Sequence, residues 1–311
     1  MRYREFGTTG IRVSEIGVGC GGLGGERKLG LEPALERALE LGVNFFDTCD
    51  TYAESRSEAT LGRVFRRHRR EEFVVCTKFG GVIDAKGDWH RDISVAHLRE
   101  AFAASCRRLG VEHFDIYLVH TPPREIAREA ELFAELERMK DQGQIRAYGL
   151  SLEKGDFATE IVNATGSRAI EIAFSLTRQD PRAGFLDVAR GKGVGIVTKS
   201  PLAGGFLSDS FVADNPPADD PRLVKLGREE FERQAALHRK LRPILTAGGR
   251  TMAQGALAWL LSFPEVSVVI PGITSLARIE ETAAASGMRL SAAELAALDE
   301  ALGAAPPGRR A

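Results

Sequence analysis

The sequence predicts a (β/α)8 TIM barrel with an N-terminal β-hairpin and a C-terminal helical tail. Eight short apolar runs alternate with longer amphipathic segments along most of the 311 residues. Most of these runs are apolar throughout, which is typical of parallel strands that are covered on both faces. No Pro/Ser-rich linker divides the repeats, so we expect residues 1–311 to fold as one domain.

The eight predicted strands are EIGVG (15–19), NFFD (44–47), FVVCTK (73–78), FDIYLVH (114–120), IRAYGLS (145–151), AIEIAFS (169–175), GIVTKS (195–200) and VSVVIPG (266–272). Between them lie amphipathic segments such as PALERALELG, EATLGRVFRRH, SVAHLREAFAASCRRLG, REIAREAELFAELERMKDQG and PRAGFLDVARGKG. Several of these segments close with a glycine just after the last periodic residue, which is a usual helix stop.

Three further segments stand outside the repeat. YREFGTTGIRVS (3–14) has the pattern of a hairpin with a Gly-containing turn, and we expect it to close the bottom of the barrel. The Pro- and Asp-rich segment 208–229 follows the seventh strand and precedes the helical pattern EEFERQAALHRKLRPIL. It is either a solvated excursion or a lid over the site, and its length favours the lid. The tail APPGRRA (305–311) is expected to be frayed.

Composition excludes several classes of protein. The 42 basic and 43 acidic residues give a formal charge of −1, so no overall charge attracts nucleic acid or an anionic membrane. The four cysteines (Cys20, Cys49, Cys76 and Cys106) form no CxxC pair, which argues against a metal site or a disulfide framework. The charged N-terminus lacks a signal-peptide core and no apolar run is long enough to span a membrane. We therefore expect a cytoplasmic protein that acts on small molecules.

The glycine-rich stretch GVGCGG (17–22) matches the dinucleotide fingerprint GxGxxG, with Asp47 as the ribose-binding acid. That fingerprint needs a helix to begin at the third glycine, whereas LGGERKLG follows here. Asp47 is also 30 residues from Gly17, against about 20 in the fingerprint. We interpret the stretch instead as a loop after the first strand, where Gly21 lets a ligand approach the backbone closely.

Polar groups end the second, third and fourth predicted strands: Asp47, Lys78 and His120. In a barrel these strand ends face the active site. A lysine buried there needs a counterion, which Asp47 supplies, and its charge lowers the pKa of a neighbouring phenol such as Tyr52. With His120 to orient the substrate and share the proton, the group suits protonation of a carbonyl oxygen as hydride arrives at carbon.

Taken singly, His120 could be a core histidine, Tyr52 an ordinary amphipathic residue and Lys78 a strand-end lysine whose charge reaches solvent. Their joint occurrence favours a catalytic group. Cys49 lies between Asp47 and Tyr52 and is expected only to pack.

Four motifs resemble those of the aldo-keto reductase family: DTCDTYAESRSE, TKFG, DIYLVH and QGQIRAYGLS. They occur in the family's order and at its spacing, and the similarity extends over nearly the whole chain. The resemblance implies a TIM barrel and an NAD(P)(H) cofactor bound in an extended form without a Rossmann domain. It also implies a catalytic tetrad of Asp47, Tyr52, Lys78 and His120.

The resemblance places the nicotinamide carboxamide near Ser151, the following residue and the sixth strand. Leu152 and Glu171 stand where the family usually has Asn and Gln, and Lys199 stands where an aromatic residue often stacks on the ring. Adjacent strands lead us to the hypothesis of a Glu171–Lys199 ion pair beside the ring. The segment SPLAGGFL is similar to the family's pyrophosphate loop, which implies cofactor contacts from Ser200, Leu202, Gly204 and Gly205.

PGITSLARIEET (271–282) is similar to the segment that binds the adenosine phosphate. Arg278 matches the family's arginine, which is suited to a 2′-phosphate or to adenine, and Glu281 matches the acid that contacts adenine. Gly272 stands where some members have a phosphate-binding lysine, and Thr282 stands where Asn is common. Because Arg278 is kept, NADP(H) is favoured over NAD(H).

The leading functional hypothesis is carbonyl reduction by NADPH, run in either direction, on an aldehyde, ketone or sugar. One alternative is a tightly held cofactor that serves an oxidative or redox-neutral reaction on a sugar-like alcohol. A second is a non-catalytic regulatory subunit that senses nucleotide. Trp89, in the loop Gly80–Arg91, is a candidate substrate-pocket aromatic. The sequence does not predict the physiological substrate or the oligomeric state.

Overall fold

The computed structural model describes residues 1–25, 28–84, 86–155, 157–214 and 216–303, so the tail expected to be frayed lies outside the described residues. The strands are β1 (Tyr3–Glu5), β2 (Arg12–Ser14), β3 (Val18–Gly19), β4 (Phe45–Asp47), β5 (Val74–Phe79), β6 (Gly81–Ile83), β7 (Trp89–Arg91), β8 (Phe114–His120), β9 (Ile145–Leu152), β10 (Ala169–Ala173), β11 (Gly195–Lys199) and β12 (Val266–Val269).

The helices are α1 (Glu32–Glu40), α2 (Arg56–Phe65), α3 (Val95–Leu109), α4 (Ala130–Asp141), α5 (Ala158–Ala164), α6 (Phe185–Lys192), α7 (Pro221–Leu226), α8 (Arg228–Leu245), α9 (Met252–Leu261), α10 (Leu276–Ala283) and α11 (Ala292–Leu302). Among the described residues, no helix combines the length and apolar character that crossing a bilayer requires.

The predicted barrel is confirmed. One sheet contains eight strands, each of which pairs with its neighbours in parallel. Their order is β3, β4, β5, β8, β9, β10, β11 and β12. The backbone N–H of Gly17 donates to the carbonyl of Val269 at 2.8 Å, and that of Val269 donates to the carbonyl of Glu15 at 3.0 Å. These bonds join the first strand region to the last and close the sheet on itself.

The N-terminal hairpin closes the bottom of the barrel, as predicted. β1 and β2 pair antiparallel, and Phe6 from their turn is fully buried among the inward-facing side chains of the barrel strands. A Cβ atom at Gly195, where β11 begins, would lie only 2.3 Å from the Phe6 ring. Glycine at this position therefore makes room for the ring that fills the amino-terminal end of the barrel.

The C-terminal helical tail is also present. Ser291 and Glu294 form a capping box that starts α11, with the Ser291 hydroxyl accepting from the Glu294 backbone N–H and the Glu294 carboxylate accepting from that of Ser291. Leu298 buries the inner face of the helix, and Asp299 pairs with Arg182 at 3.2 Å. These contacts fix the helix against the barrel's outer layer.

Two predicted loops contain secondary structure. The stretch Gly80–Arg91 contains the antiparallel hairpin β6–β7, and the segment 208–229 contains the short helix α7. Phe211 and Leu223 of this second segment pack in a small core with Phe206, which precedes the segment, and with Phe231 and Ala235 of α8. Polar residues surround these few apolar side chains in the sequence, so their periodicity is too weak to predict the helix.

Candidate active site

The carboxyl ends of β4, β5 and β8 bring three predicted site residues together. Asp47, Lys78 and His120 end these strands or stand one residue before the end, and Tyr52 follows Asp47 on a tight turn. The Lys78 Nζ lies 5.1 Å from the centroid of the Tyr52 ring. The rings of Tyr52 and His120 are 5.8 Å apart between centroids and nearly perpendicular. Parallel pairing of the strands places all four side chains at one end of the barrel.

Lys78 is fully buried between two carboxylates. Its Nζ donates to Asp47 Oδ1 at 2.5 Å and to the carbonyl of Thr48 at 2.9 Å. The same Nζ lies 3.1 Å from Glu171 Oε2. The expected Asp47–Lys78 pair is therefore present, with a second carboxylate that the sequence did not associate with Lys78.

Ligand atoms of Asp47, Cys76 and Glu171 lie within 4.8 Å of one another, a spacing that could hold a metal ion. The Lys78 ammonium already lies against both carboxylates. This ammonium supplies the positive charge that a metal cation would bring. The closeness of the two carboxylates is therefore explained by Lys78 without a metal ion.

Glu171 links this buried group to the neighbouring strands. The Ser151 hydroxyl donates to Glu171 Oε1 at 2.9 Å. The hypothetical ion pair of Glu171 with Lys199 is long, at 3.8 Å between Nζ and Oε1. Lys199 lies closer to the exposed carboxylate of Glu153, at 2.7 Å. The principal cation of Glu171 is therefore Lys78.

The two carboxyl groups respond differently to this arrangement. Burial and then the Glu171 carboxylate raise the pKa of Asp47 well above its ordinary value, although Lys78 opposes this. Burial also disfavours ionised Glu171, but Lys78 and Lys199 outweigh it and lower the pKa of Glu171. Two carboxylates around one buried ammonium thus compete for its charge.

The pKa of Tyr52 is raised, whereas the sequence led us to expect a lowered pKa. Burial is the largest cause; Lys78 does lower this pKa, but Asp47 and Glu171 raise it. The expectation was wrong because it left out the burial of the phenol, the largest cause, and because it counted one carboxylate beside Lys78 where the structure has two. Tyr52 is consequently a neutral phenol at physiological pH and is able to donate its proton.

His120 is also neutral at physiological pH. Burial, with Lys78 second, lowers its pKa to about 4. Its Nδ1 lies 3.3 Å from the Sγ of Cys49, a fully buried thiol that also contacts Asp50 Oδ1 at 3.2 Å. Cys49 was expected only to pack, but it is a hydrogen-bond partner of His120.

The backbone that follows Tyr52 has an unusual conformation. Ala53, Glu54 and Ser55 have φ values of 50°, 55° and 67°, so three consecutive L-residues occupy the left-handed region. Each such residue costs roughly 1–2 kcal/mol. The Ser55 hydroxyl holds the turn by donating to the carbonyl of Asp50 at 2.7 Å. Local strain of this kind is common where a functional side chain must be held in place.

A cleft of about 610 Å³ begins at Asp47, Tyr52 and Glu171. Eight further residues predicted to bind cofactor line it: Gly21, Lys199, Ser200, Leu202, Gly204, Gly205, Gly272 and Arg278. A Cβ atom added at Gly21, Gly204 or Gly272 would meet no atom within 4 Å. The bare backbone of these glycines therefore faces open space, as a site for an extended nucleotide requires.

The sequence of residues 15–302 matches the profile of the Aldo/keto reductase family. The chain belongs to the aldo/keto reductase family. An uncharacterized oxidoreductase of Bacillus subtilis (strain 168), YqkF, is 30% identical over 303 residues, which cover 96% of this chain and 95% of that protein. The NADH-specific methylglyoxal reductase of Escherichia coli (strain K12) is 28% identical over 320 residues, covering 96% and 98%.

Among solved structures, the holo form of the aldo-keto reductase AKR11C1 from Bacillus halodurans superimposes with a TM-score of 0.82 at 26% identity, covering 97% of this chain and 96% of that one. The barrel described above is thus an aldo-keto reductase barrel.

Six predicted site residues are absent from the lining of the cleft among the described residues: Lys78, His120, Ser151, Glu281, Thr282 and Trp89. Ser151 is buried behind Glu171, and Glu281 pairs with Arg278. The Thr282 hydroxyl donates to the carbonyl of Arg278 on its own helix at 2.8 Å. Trp89 is 44% exposed on β7 and stacks against the guanidinium of Arg91.

Ser210, Arg222 and Thr274 are among the cleft residues of this aldo-keto reductase that sequence reasoning missed. Ser210 and Arg222 belong to the segment 208–229, so the signal that could have found them was the lid interpretation of that segment. The Arg222 guanidinium pairs with Asp220 and lies 4.8 Å from the centroid of the Phe211 ring. The small core that the segment shares with α8 therefore holds Arg222 at the edge of the cleft.

Proposed function

We propose that this aldo-keto reductase transfers a hydride between a nicotinamide cofactor and a carbonyl or alcohol substrate, with Tyr52 as the proton donor. The observation that carries the proposal is that Tyr52 and Asp47 stand at one end of a cleft whose lining extends to Arg278. One structure thus offers proton-transfer groups at one end and a cation for a phosphate group at the other.

Each side chain of the tetrad has a distinct task in this proposal. Bound cofactor would supply or accept the hydride. Tyr52 gives its Oη proton to the carbonyl oxygen, and the phenolate that results is stabilised by the ammonium of Lys78, 5.1 Å from the ring centroid. Asp47 holds that ammonium in place. Neutral His120 keeps Nε2 available for a hydrogen bond to the substrate oxygen, since Nδ1 faces Cys49.

We further propose that NADP(H) is favoured over NAD(H). Arg278 lines the cleft and suits a 2′-phosphate. Glu281 already pairs with this guanidinium, and a relative is named an NADH-specific enzyme. A 2′-phosphate must therefore compete with Glu281 for Arg278, and the preference for NADP(H) is expected to be moderate.

The test of the proton donor is Tyr52→Phe. Loss of a positioned general acid is expected to lower kcat about 10²- to 10⁴-fold, with cofactor affinity unchanged, in an absorbance assay with a panel of aldehydes. Tyr117→Phe is a matched control, because the Tyr117 hydroxyl is buried and has no hydrogen-bond partner among the described residues. A Tyr52→Phe enzyme that keeps its rate within a few-fold would overturn the assignment.

The Glu171 carboxylate favours a second candidate function, oxidation of a sugar-like alcohol with a tightly held cofactor. It presents a buried negative charge at the cleft end that contains Tyr52, where a positive charge is stabilised. Cofactor that co-purifies and does not exchange, with alcohol turnover exceeding carbonyl turnover, would favour this candidate. Binding without any turnover would instead indicate a nucleotide-sensing regulatory subunit.

A further inference from the structure

The buried end of the cleft contains more negative than positive charge. Asp47, Lys78 and Glu171 are each at most 3% exposed. Lys78 Nζ lies 2.5 Å from Asp47 Oδ1 and 3.1 Å from Glu171 Oε2. Lys199 balances the second carboxylate only in part, because Glu153 is closer to it, at 2.7 Å against 3.8 Å for Glu171. With both carboxyl groups ionised, the buried group would hold a negative charge that is not fully compensated.

Among the residues that the structure describes, no other group beside the two carboxyls supplies a full positive charge. The ionisable groups that face the two carboxyls from the surrounding elements are Cys20, Tyr52, Cys76, His120, Glu153 and Lys199. The pKa values of the two thiols and of the phenol are raised, mainly by burial, and that of His120 is lowered to about 4. All four groups are therefore neutral near pH 7, and Lys199 divides its charge between Glu153 and Glu171.

A proton can remove this imbalance. An uncompensated charge is costly in a buried site, and a pair of neighbouring carboxyls avoids the cost by keeping one proton. Among the described residues, no donor makes a well-directed hydrogen bond to Glu171 Oε2, although Lys78 is near. This carboxyl oxygen can therefore accept a shared proton. The raised pKa of Asp47, caused by burial and by Glu171, agrees with a shared proton.

The same carboxyls face the place where a nicotinamide ring must lie if the proposed function holds. Hydride reaches the carbon bonded to the oxygen that Tyr52 protonates, so the ring must approach Tyr52. Asp47, Tyr52 and Glu171 line that end of the cleft together. The oxidised ring carries a positive charge and the reduced ring is neutral, so only the oxidised ring supplies the charge that the buried group lacks.

We propose that Asp47 and Glu171 hold one proton between them in the free enzyme and release it to solvent when oxidised cofactor binds. Two carboxylates then face two cations, Lys78 and the ring. Reduced cofactor leaves the proton in place. Since the proton is lost only in the oxidised complex, affinity for oxidised cofactor rises about tenfold per pH unit while the free pair is protonated. Affinity for reduced cofactor is insensitive to this proton, so rising pH biases the site toward the oxidised form.

The test is isothermal titration calorimetry of the whole enzyme with NADP⁺ and with NADPH, each in two buffers of different ionisation enthalpy. The wild type is expected to release close to one proton with NADP⁺ and none with NADPH. Glu171→Gln removes one carboxylate and should abolish the release. Ser151→Ala is the matched control, because it removes a hydrogen bond to Glu171 and leaves the charges unchanged, so the release should persist.

Equal proton release with both cofactor forms, or release that persists in Glu171→Gln, would overturn the inference. If neither cofactor form binds, the proposed function fails instead, so the two failures are distinguishable. Should Glu171→Gln not fold, infrared difference spectra of the wild type serve in its place. A protonated-carboxyl band that disappears with NADP⁺ and stays with NADPH supports the shared proton, and a spectrum without this difference refutes it.

Discussion

Cys49 offers a sharp test of how the protein orients His120. Its Sγ is fully buried and lies 3.3 Å from His120 Nδ1. The thiol has one proton and two neighbouring acceptors, Asp50 Oδ1 at 3.2 Å and His120 Nδ1. We predict that it donates to Nδ1, which leaves the ring proton on Nε2, the nitrogen that can then donate to a carbonyl oxygen. We predict that Cys49→Ala weakens carbonyl reduction because the tautomer of His120 is no longer fixed.

The magnitude follows from the loss of one hydrogen bond. A neutral hydrogen bond contributes about 0.5–1.5 kcal/mol, and about 1.36 kcal/mol corresponds to a tenfold change in rate. Cys49→Ala is therefore expected to lower kcat/KM about 2- to 13-fold. Because the pKa of His120 is about 4, the ring stays neutral above about pH 6. A change of the loss between about pH 6 and about pH 8 would report Asp50, whose carboxyl contacts the same thiol at 3.2 Å and whose pKa burial raises to about 7.

The assay combines kinetics with a direct readout of the ring. Cys49→Ser keeps a donor and should retain most of the activity, and Cys106→Ala, at a half-buried position on α3, is the control for removing a thiol elsewhere. Nitrogen-15 chemical shifts of His120 report which ring nitrogen carries the proton. The reasoning is refuted if Cys49→Ala reacts within twofold of the wild type and the His120 shifts do not change.

Three further variants test the fold and the cofactor site. Ala53→Gly should raise the free energy of unfolding by about 0.5–1 kcal/mol, as relief of the left-handed strain exceeds the added freedom of the unfolded chain; a urea midpoint that does not rise contradicts this. Gly195→Ala should lower stability by about 1–3 kcal/mol through overpacking against Phe6, while Gly191→Ala, where a Cβ meets nothing within 4 Å, should not lower it. Arg278→Ala should weaken NADPH binding by about 1.5–3 kcal/mol and NADH binding by less; fluorescence titrations that show equal losses would argue against a 2′-phosphate contact.

Much of the barrel could be predicted because its strands are continuous apolar runs. β8 has the predicted bounds, and the other barrel strands lie within one residue of the predicted runs or inside them. The hairpin β6–β7 could not be predicted, because its side chains are largely exposed and it lacks an apolar pattern. That residues 1–311 form a single domain remains a prediction.

In the site, the sequence identified the side chains but not all of their partners. Asp47, Lys78 and His120 could be predicted because parallel strands end at one face of a barrel. The contact of Glu171 with Lys78 could not be predicted, because β5 and β10 are not neighbours in the sheet. The two side chains meet only because the sheet closes into a narrow barrel. The contact of Cys49 with His120 likewise joins residues 71 positions apart.

The sequence by itself determined the barrel, the closing hairpin and the identity of the four tetrad side chains, since these depend on local periodicity and on where each strand ends. Only the tertiary structure decided the charge balance around them. It placed two carboxylates on Lys78, raised the pKa of Tyr52 and paired Arg278 with Glu281. Electrostatic energies depend on distance and burial in space, and neither quantity can be derived from the order of residues along the chain.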